Sequence, residues 1–229
     1  MTKRKIHIET YLTIFSTFLM GFIDVYTQRY NNSALISAQT GNLVNLGQRL
    51  AEGDWYGTLV HLSLITGFAL GCAGGFLIGK YVKNHLKNWL IFSSLIYFTA
   101  IFRTFIPINL SIIILSAAAG LCLTFFRDMD GLDLNNGIHT GNLKNMWASM
   151  ANMMIFRKRS EISRTARFGI IIFVFTFGAF VGGFVAKLGP GAMLIFASII
   201  CLAVQFAYPL SILRSRKNAN AYKLEKAVD

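Results

Sequence analysis

Long apolar stretches alternate with shorter polar segments along this chain. Six stretches are roughly 17–23 residues long, close to the roughly 20 residues that a helix needs to cross about 30 Å of hydrocarbon. Because each stretch is continuously apolar rather than alternating, helices are favoured over the strands of a barrel. We therefore predict six transmembrane helices. They cover residues 11–27, 57–79, 88–106, 108–126, 168–186 and 191–210.

A short polar motif occurs twice, one hundred positions apart. The sequence reads Thr40-Gly41-Asn42-Leu43 and again Thr140-Gly141-Asn142-Leu143, and Gly-Gly-Phe is also duplicated, at residues 74–76 and 182–184. Residues 1–107 and 108–215 each hold three apolar stretches, and an odd number of crossings reverses the direction of the second copy. We predict an all-α membrane protein built from two inverted three-helix repeats, with broken or re-entrant Thr-Gly-Asn segments and a cytoplasmic tail at 216–229.

The basic residues are distributed unevenly among the polar segments. The net charge is +12, and of 22 Lys and Arg all but Arg29, Arg49, Arg103 and Lys187 fall on the side that holds the N-terminus. The positive-inside rule therefore predicts that both termini are cytoplasmic. We expect this basic surface to meet anionic lipid headgroups. A nucleic-acid partner is disfavoured, because no aromatic residues interleave with the basic ones.

Motifs for catalysis, cofactors and metals are missing from the sequence. It contains no phosphate-binding glycine loop, zinc-protease motif or nucleophile elbow. The 3 Cys lie within predicted spans without metal-ligand spacing, which is typical of packing. We expect a protein that is not an enzyme and uses neither a cofactor nor a metal.

The two polar breaks around the repeated motif are the predicted substrate site. Each motif precedes a weakly apolar helix, at 43–50 and 143–155, so its Thr would be an N-cap and its Gly would allow close backbone approach or positive φ. Two opposed helix N-termini with side-chain amides would suit a small polar or anionic solute. The alternative is that both motifs only stabilise the fold. The predicted substrate-binding residues are Thr40, Gly41, Asn42, Asn45, Thr140, Gly141, Asn142 and Asn145.

Two charges and two further polar residues extend this prediction. Asp24 and Arg103 lie within spans at similar depth, so we expect a buried ion pair or a coupling group; an interfacial pair reached by water is the alternative. Gln39 and His139 occupy matching positions before each motif. His139 is a candidate proton carrier or site residue, against the simpler role of a hydrogen-bonded loop residue.

Glycines recur every four residues in the second span. This stripe of Gly67, Gly71, Gly75 and Gly79 is echoed by a shorter one in the fifth span. Small residues on one face let another helix approach closely, so we predict packing, either within the chain or in a homodimer through the striped helices.

Several of these motifs together resemble the YoaK-type bacterial integral membrane proteins, a domain of unknown function. The resemblance spans roughly residues 8–212. It implies a bacterial inner membrane and about six helices, but it implies no reaction. Cys122 stands where family members often have Gln, and the basic loop 157–167 is atypical. The motifs are Gly21-Phe-Ile-Asp24, the two Thr-Gly-Asn-Leu copies, Leu46-Gly47 and Ala119-Gly120.

The function predicted from the sequence is a small secondary transporter that exposes its solute alternately to each side of the membrane. The alternatives are a channel of the same architecture, and a non-transporting membrane scaffold that acts through the basic loop 157–167.

Overall fold

The computed structural model describes residues 3–31 and 34–208 of the 229-residue chain, with side chains from residue 8 onward. Eight α-helices form most of this part of the chain. They are α1 Lys3–Tyr30, α2 Gln39–Glu52, α3 Trp55–Tyr81, α4 His85–Phe102, α5 Ile108–Phe125, α6 His139–Phe156, α7 Ser160–Val185 and α8 Pro190–Tyr208. An antiparallel hairpin of β1 Asp128–Met129 and β2 Leu132–Asp133 lies between α5 and α6.

Five segments of the described chain are helical, long and apolar enough to cross a membrane. They are Ile8–Tyr30, Trp55–Tyr81, Ile108–Phe125, Ser160–Leu188 and Pro190–Tyr208. The remaining predicted span, 88–106, corresponds to α4, which has 18 residues but carries His85, Lys87 and Asn88 in its first turn. These polar residues lower its mean hydropathy, so the sixth crossing stays a prediction.

Several helix boundaries differ from those predicted. The helices expected at 43–50 and 143–155 begin four residues earlier, at the starts of α2 and α6. The span expected at 168–186 begins at Ser160, so most of the basic segment 157–167 is helix rather than loop. α4 ends at Phe102 rather than at 106, because the residue before Pro107 cannot easily be helical. Residues 32, 33 and 209–229, including the predicted tail 216–229, lie outside the described residues.

The two halves of the chain are packed in the same way. α3 lies along α5 and α7 lies along α1, while α2 packs on α3 and α6 packs on α7. A Cβ placed on Gly71 of α3 would lie 2.8 Å from the Cα of Ala117, and one on Gly178 of α7 would lie 2.9 Å from the carbonyl carbon of Phe18. Only glycine allows either crossing, which explains both glycine stripes as contacts within the chain except at Gly79, where a Cβ would meet nothing within 4 Å.

The partner helices carry a matching glycine at each crossing. Gly21 of α1 lies against Phe175 and Ala179, and Gly120 of α5 lies against Phe68 and Cys72. Both crossings are therefore built from the same positions of the two repeats. Because these faces are already occupied, the homodimer predicted through the stripes stays a prediction without support from these contacts.

Hydrogen bonds define two ends of the helix bundle. At the first end, Thr13 of α1 donates to the carbonyl of Asp128 in the hairpin, at 2.8 Å. At the second end, the Tyr30 hydroxyl donates to the carbonyl of Ala186 just after α7, at 2.6 Å. α1 therefore runs from the first end to the second, whereas α5 runs back towards the hairpin.

Aromatic side chains fill the core between α4, α5 and α8. Trp89, Phe92 and Phe126 are buried and lie with ring centroids 5.4–5.9 Å apart. The Trp89 indole donates to the carbonyl of Cys201 in α8, at 3.1 Å. In contrast, Phe180 on the outer face of α7 is 60% exposed. Apolar residues thus cover both the inside and the outside of the bundle, as expected for helices that face lipid.

Candidate functional site

Each repeated asparagine holds the loop that precedes its helix. We call residues 34–38 the first loop and residues 134–138 the second loop. The Asn42 side chain donates from Nδ2 to the Leu35 carbonyl at 2.6 Å, while its Oδ1 accepts from the Leu35 amide at 3.4 Å. One side-chain amide thus satisfies both backbone groups of a loop residue, as a neighbouring strand would.

The second half contains the same arrangement. Asn142 donates to the Asn135 carbonyl, and its Oδ1 accepts from the Asn135 amide at 3.2 Å. Both asparagines are 1% exposed. Their amides are engaged in holding the loops, so they position the site. The direct solute contact predicted for them stays a prediction, and it would require these bonds to break.

The predicted capping role of the repeated threonines is wrong. Ala38 is the N-cap of α2 and Ile138 is the N-cap of α6, and neither makes a side-chain cap. Thr40 and Thr140 lie inside the first helical turn and are exposed. The physical reason is that the asparagines, rather than the threonines, satisfy the backbone of the preceding loops.

The predicted positive φ at the repeated glycines is also wrong. Gly41 and Gly141 are helical, and the positive-φ glycines among the described residues are Gly53, Gly131 and Gly189. A Cβ on Gly41 would meet nothing within 4 Å. No other part of the described chain approaches Gly41 closely enough to require a glycine there.

The two loops meet in the interior of the bundle. A Cβ placed on Gly137 of the second loop would lie 3.0 Å from the Cβ of Ser37 in the first loop. The neighbouring Asn136 is fully buried and donates to Ser16 of α1 at 3.1 Å and to the carbonyl of Phe126 at 2.6 Å. The two polar breaks of the sequence are therefore adjacent in space.

Asp24 of α1 lies beside this junction. It is 5% exposed, and its carboxylate accepts from the Ser37 amide at 3.1 Å and from the Ser37 hydroxyl. Because Gly21 matches Gly120 at the helix crossings, Asp24 matches Leu123 in the second half, where Gly137 replaces Ser37. The buried carboxylate therefore occurs in only one of the two repeats.

The predicted ion pair between Asp24 and Arg103 is not formed. Arg103 is exposed just beyond the end of α4, and a Cβ on Gly191 would lie 2.7 Å from its guanidinium. Similar depth along two helices does not bring the two side chains together, because Asp24 and Arg103 face different neighbours. Asp24 instead bonds to Ser37, a residue that the sequence analysis did not single out. The one signal for Ser37 in the sequence is that it lies one hundred positions before Gly137, at the equivalent place of the first repeat.

A cavity of about 270 Å³ lies next to the junction of the loops and is walled by both halves. Its polar walls come from Asp24, Gln28 and Ser37 in the first half and from His139 and Thr140 in the second. Of the predicted site residues, the structure thus brings His139 and Thr140 together with Asp24. The half-buried Asn45 and Asn145 do not line the cavity, and neither do the buried Asn42 and Asn142.

His139 contributes a neutral imidazole to the cavity wall. It lies outside the five long apolar helices, and its burial lowers its pKa to about 4, against a smaller opposite effect of a hydrogen bond with the Asn136 backbone. Its ring lies 4.2 Å from that of Phe175, and Nδ1 is 3.4 Å from Nδ2 of Asn142. Nε2 is buried without a hydrogen-bond partner, so the ring can donate to or accept from a bound molecule. The matching Gln39 instead donates to the carbonyl of Ile36 at 2.8 Å.

The comparisons with known proteins identify a family but no function. No curated protein and no solved structure matched it. A family model described as protein of unknown function (DUF1275) matches residues 12–207, which is most of the chain. The predicted resemblance to an uncharacterised family is thereby confirmed, whereas the YoaK label stays a prediction. The chain belongs to the DUF1275 family of proteins of unknown function.

Proposed function

We propose that this protein is a small secondary transporter built from two inverted repeats. The observation that carries the proposal is the junction of the two loops, where one buried carboxylate and a cavity walled by both repeats lie together. In repeat transporters, solute sites are formed by irregular polar segments at the interface between repeats. No catalytic step is involved in this proposal.

Inverted repeats are supported by the packing. The glycine crossings of α1 with α7 and of α5 with α3 use matching positions, and α1 and α5 run in opposite directions through the bundle. In this proposal α4 supplies the sixth crossing, beside its counterpart α8. In this proposal both termini lie in the cytoplasm of a bacterium, and the excess of basic residues that the sequence predicts on the side of the N-terminus supports this orientation.

The wall of the cavity indicates the class of solute. Among the described residues, Asp24 is the one charged side chain that lines the cavity, and His139, Thr140, Gln28 and Ser37 add neutral donors and acceptors. A buried carboxylate favours a cation or a neutral hydrogen-bond donor and disfavours an anion. We therefore narrow the predicted solute to a small neutral polar molecule or a cation, and Asp24 is the coupling group that a proton or the solute itself would neutralise.

Further cavities at the two ends of the bundle support access from both sides. A cavity of about 180 Å³ at the first end is lined by Thr13 and Arg127, among others. A cavity of about 320 Å³ at the second end is lined by Tyr26 and Arg103, among others. The proposed solute cavity is lined by α1 residues from Gly21 to Gln28, so along α1 it adjoins the cavity at the second end and lies farther from the one at the first end.

Cysteine accessibility tests this proposal without knowledge of the solute. In a background with the native cysteines replaced, Thr140→Cys would be treated with a membrane-impermeant maleimide from each face of sealed vesicles. Alternating access predicts modification from both faces. The matched control is Thr40→Cys, the equivalent position of the first repeat, which does not line the cavity and is expected to react from one face at most.

Two results would contradict the transporter. Modification of Thr140→Cys from only one face would mean that the cavity opens to one side of the membrane alone, as in a static pocket and unlike a carrier. A steady ionic current through a planar bilayer that contains the protein would instead assign it to the channels.

The scaffold alternative makes a different prediction. If the protein is a scaffold, its cellular phenotype is lost when residues 157–167 are replaced by a neutral linker of equal length, and it is kept in the Asp24→Asn variant.

A further inference from the structure

A second cavity, separate from the proposed solute site, lies at the first end of the bundle. It has a volume of about 480 Å³ and lies between the end of α3, the start of α4 and the end of α5. This volume is within the range of about 300–1,000 Å³ that is typical of ligand pockets. Its polar lining residues are Lys80, Lys83, His85, Asn88, Thr124 and Arg127.

The charge of this cavity is positive and only partly compensated. Arg127 lies 3.6 Å from Asp133, and His85 lies 2.9 Å from Glu9. Neither Lys80 nor Lys83 forms an ion pair with any carboxylate that the structure describes. The Lys83 ammonium donates to a backbone carbonyl at 2.6 Å, and that of Lys80 lies 4.8 Å from the centre of the Phe76 ring. Two ammonium groups are therefore available to an anion.

Asn88 is the second, independent indication of a ligand. Its side chain lines the cavity and is only 7% exposed, yet its Oδ1 is buried without a hydrogen-bond partner. A buried amide of this kind usually has a partner, since leaving it unsatisfied costs about 1–3 kcal/mol. A hydroxyl group of a bound molecule would donate to this oxygen and supply that partner, whereas a phosphate oxygen has no proton to donate.

The surroundings of the cavity are apolar and face outwards. Phe76 forms part of its wall and is 62% exposed, and the adjacent Leu77 is 56% exposed. A Cβ on Gly79 would meet nothing within 4 Å, so the surface of α3 is open there. A ligand with a charged head and hydrocarbon chains would fit both the basic cavity and this outer face of α3.

We propose that this cavity binds the phosphate headgroup of an anionic phospholipid, with Lys80 and Lys83 pairing with the phosphate and Asn88 bonding to the polar headgroup. Basic pockets between transmembrane helices on the cytoplasmic side bind such headgroups. The same phosphate chemistry could be supplied by a soluble phosphate ester. The exposed apolar wall favours the lipid, because its acyl chains cover surface that a soluble ligand would leave exposed.

The test measures binding of dioleoyl phosphatidylglycerol to the detergent-solubilised full chain by native mass spectrometry. We expect the wild type to bind it and to show no comparable binding of dioleoyl phosphatidylcholine. The double variant Lys80→Gln/Lys83→Gln should bind about 30-fold more weakly, because each lysine contributes to anion binding near a membrane surface. Lys80→Arg/Lys83→Arg should keep the affinity, since the charges remain.

A matched control makes the same change of charge elsewhere. Lys144→Gln/Lys158→Gln removes two exposed lysines that do not line the cavity, and it should leave the affinity unchanged. Equal loss in both double variants would overturn the site, because the effect would then follow from net charge alone. Equal affinity for glycerol phosphate and for phosphatidylglycerol would assign the cavity to a soluble phosphate and overturn the lipid.

Discussion

The duplicated helix crossings make a sharp prediction about two neighbouring glycines of α3. In the Gly71→Ala variant, the new methyl group would lie 2.8 Å from the Cα of Ala117, whereas in the Gly74→Ala variant it would meet nothing within 4 Å. Overpacking of this kind costs about 1–3 kcal/mol. Replacing a helical glycine with alanine contributes about 1 kcal/mol in the opposite direction. The two variants should therefore change stability with opposite signs.

The assay is thermal unfolding of the purified protein in one detergent. The net change is a loss of up to about 2 kcal/mol for Gly71→Ala and a gain of about 1 kcal/mol for Gly74→Ala. With about 2–4 °C per kcal/mol for a chain of this size, Gly71→Ala should lower the Tm by up to about 8 °C, while Gly74→Ala should raise it by about 2–4 °C. The second repeat supplies an internal replicate, because Gly178→Ala meets Phe18 and Gly183→Ala meets nothing within 4 Å. Equal shifts for the crossing glycine and its open neighbour in either repeat would refute the packing described here.

Three further variants test the site and its surroundings. Asn142→Ala should lower the free energy of unfolding by about 2 kcal/mol, because the backbone groups of Asn135 lose their side-chain partner. Asn145→Ala should change it by under about 0.5 kcal/mol. Equal losses would argue against the role of Asn142 in holding the second loop. Asp54→Ala should lower the free energy of unfolding by about 1 kcal/mol, because the Asp54 side chain caps α3. Asp54→Asn should retain most of this stability, since asparagine also caps helices. If Asp54→Asn is as unstable as Asp54→Ala, the charge rather than the cap is what stabilises the protein. His139→Gln, which copies Gln39, should make the protein less sensitive to acid. The pKa of His139 is lowered in the folded protein, so the unfolded chain binds an extra proton, and wild-type stability should fall relative to the variant as the pH drops from about 6.5 to about 4. Parallel curves of Tm against pH for the two proteins over that interval would exclude this.

The sequence was most informative where a local pattern determines the structure. The continuous apolar runs predict the long helices, because crossing hydrocarbon sets their length. The recurring Thr-Gly-Asn motif led to the two loops, because a duplicated sequence folds into duplicated local geometry. The glycine stripes predicted close packing for the same reason, and Gly71 and Gly178 do lie at helix crossings.

Long-range contacts were less accessible to sequence reasoning. Asn42 bonds to the backbone seven residues upstream, and nothing in the local pattern distinguishes this role from a cap or a ligand. Asp24 was matched to Arg103 by counting depth along two helices, but depth does not determine which neighbour a side chain faces: Arg103 lies against Gly191 and Asp24 bonds to Ser37. Ser37 is an ordinary loop residue in the sequence, and only the meeting of the two loops makes it the partner of Asp24.

Cross-linking of the two loops tests the central claim most directly. Ser37→Cys/Gly137→Cys, in a background without the native cysteines, would place two Cβ atoms about 3.0 Å apart. This is shorter than the roughly 3.5–4.5 Å of a disulfide, so the loops need to separate by only about 0.5–1 Å to accommodate the bond. We predict that mild oxidation of the membrane-embedded protein joins them within one chain, as shown by the mass of the linked peptides. Failure of the folded double variant to form this link, while exposed single cysteines react normally, would mean that the polar loops of the two halves do not meet.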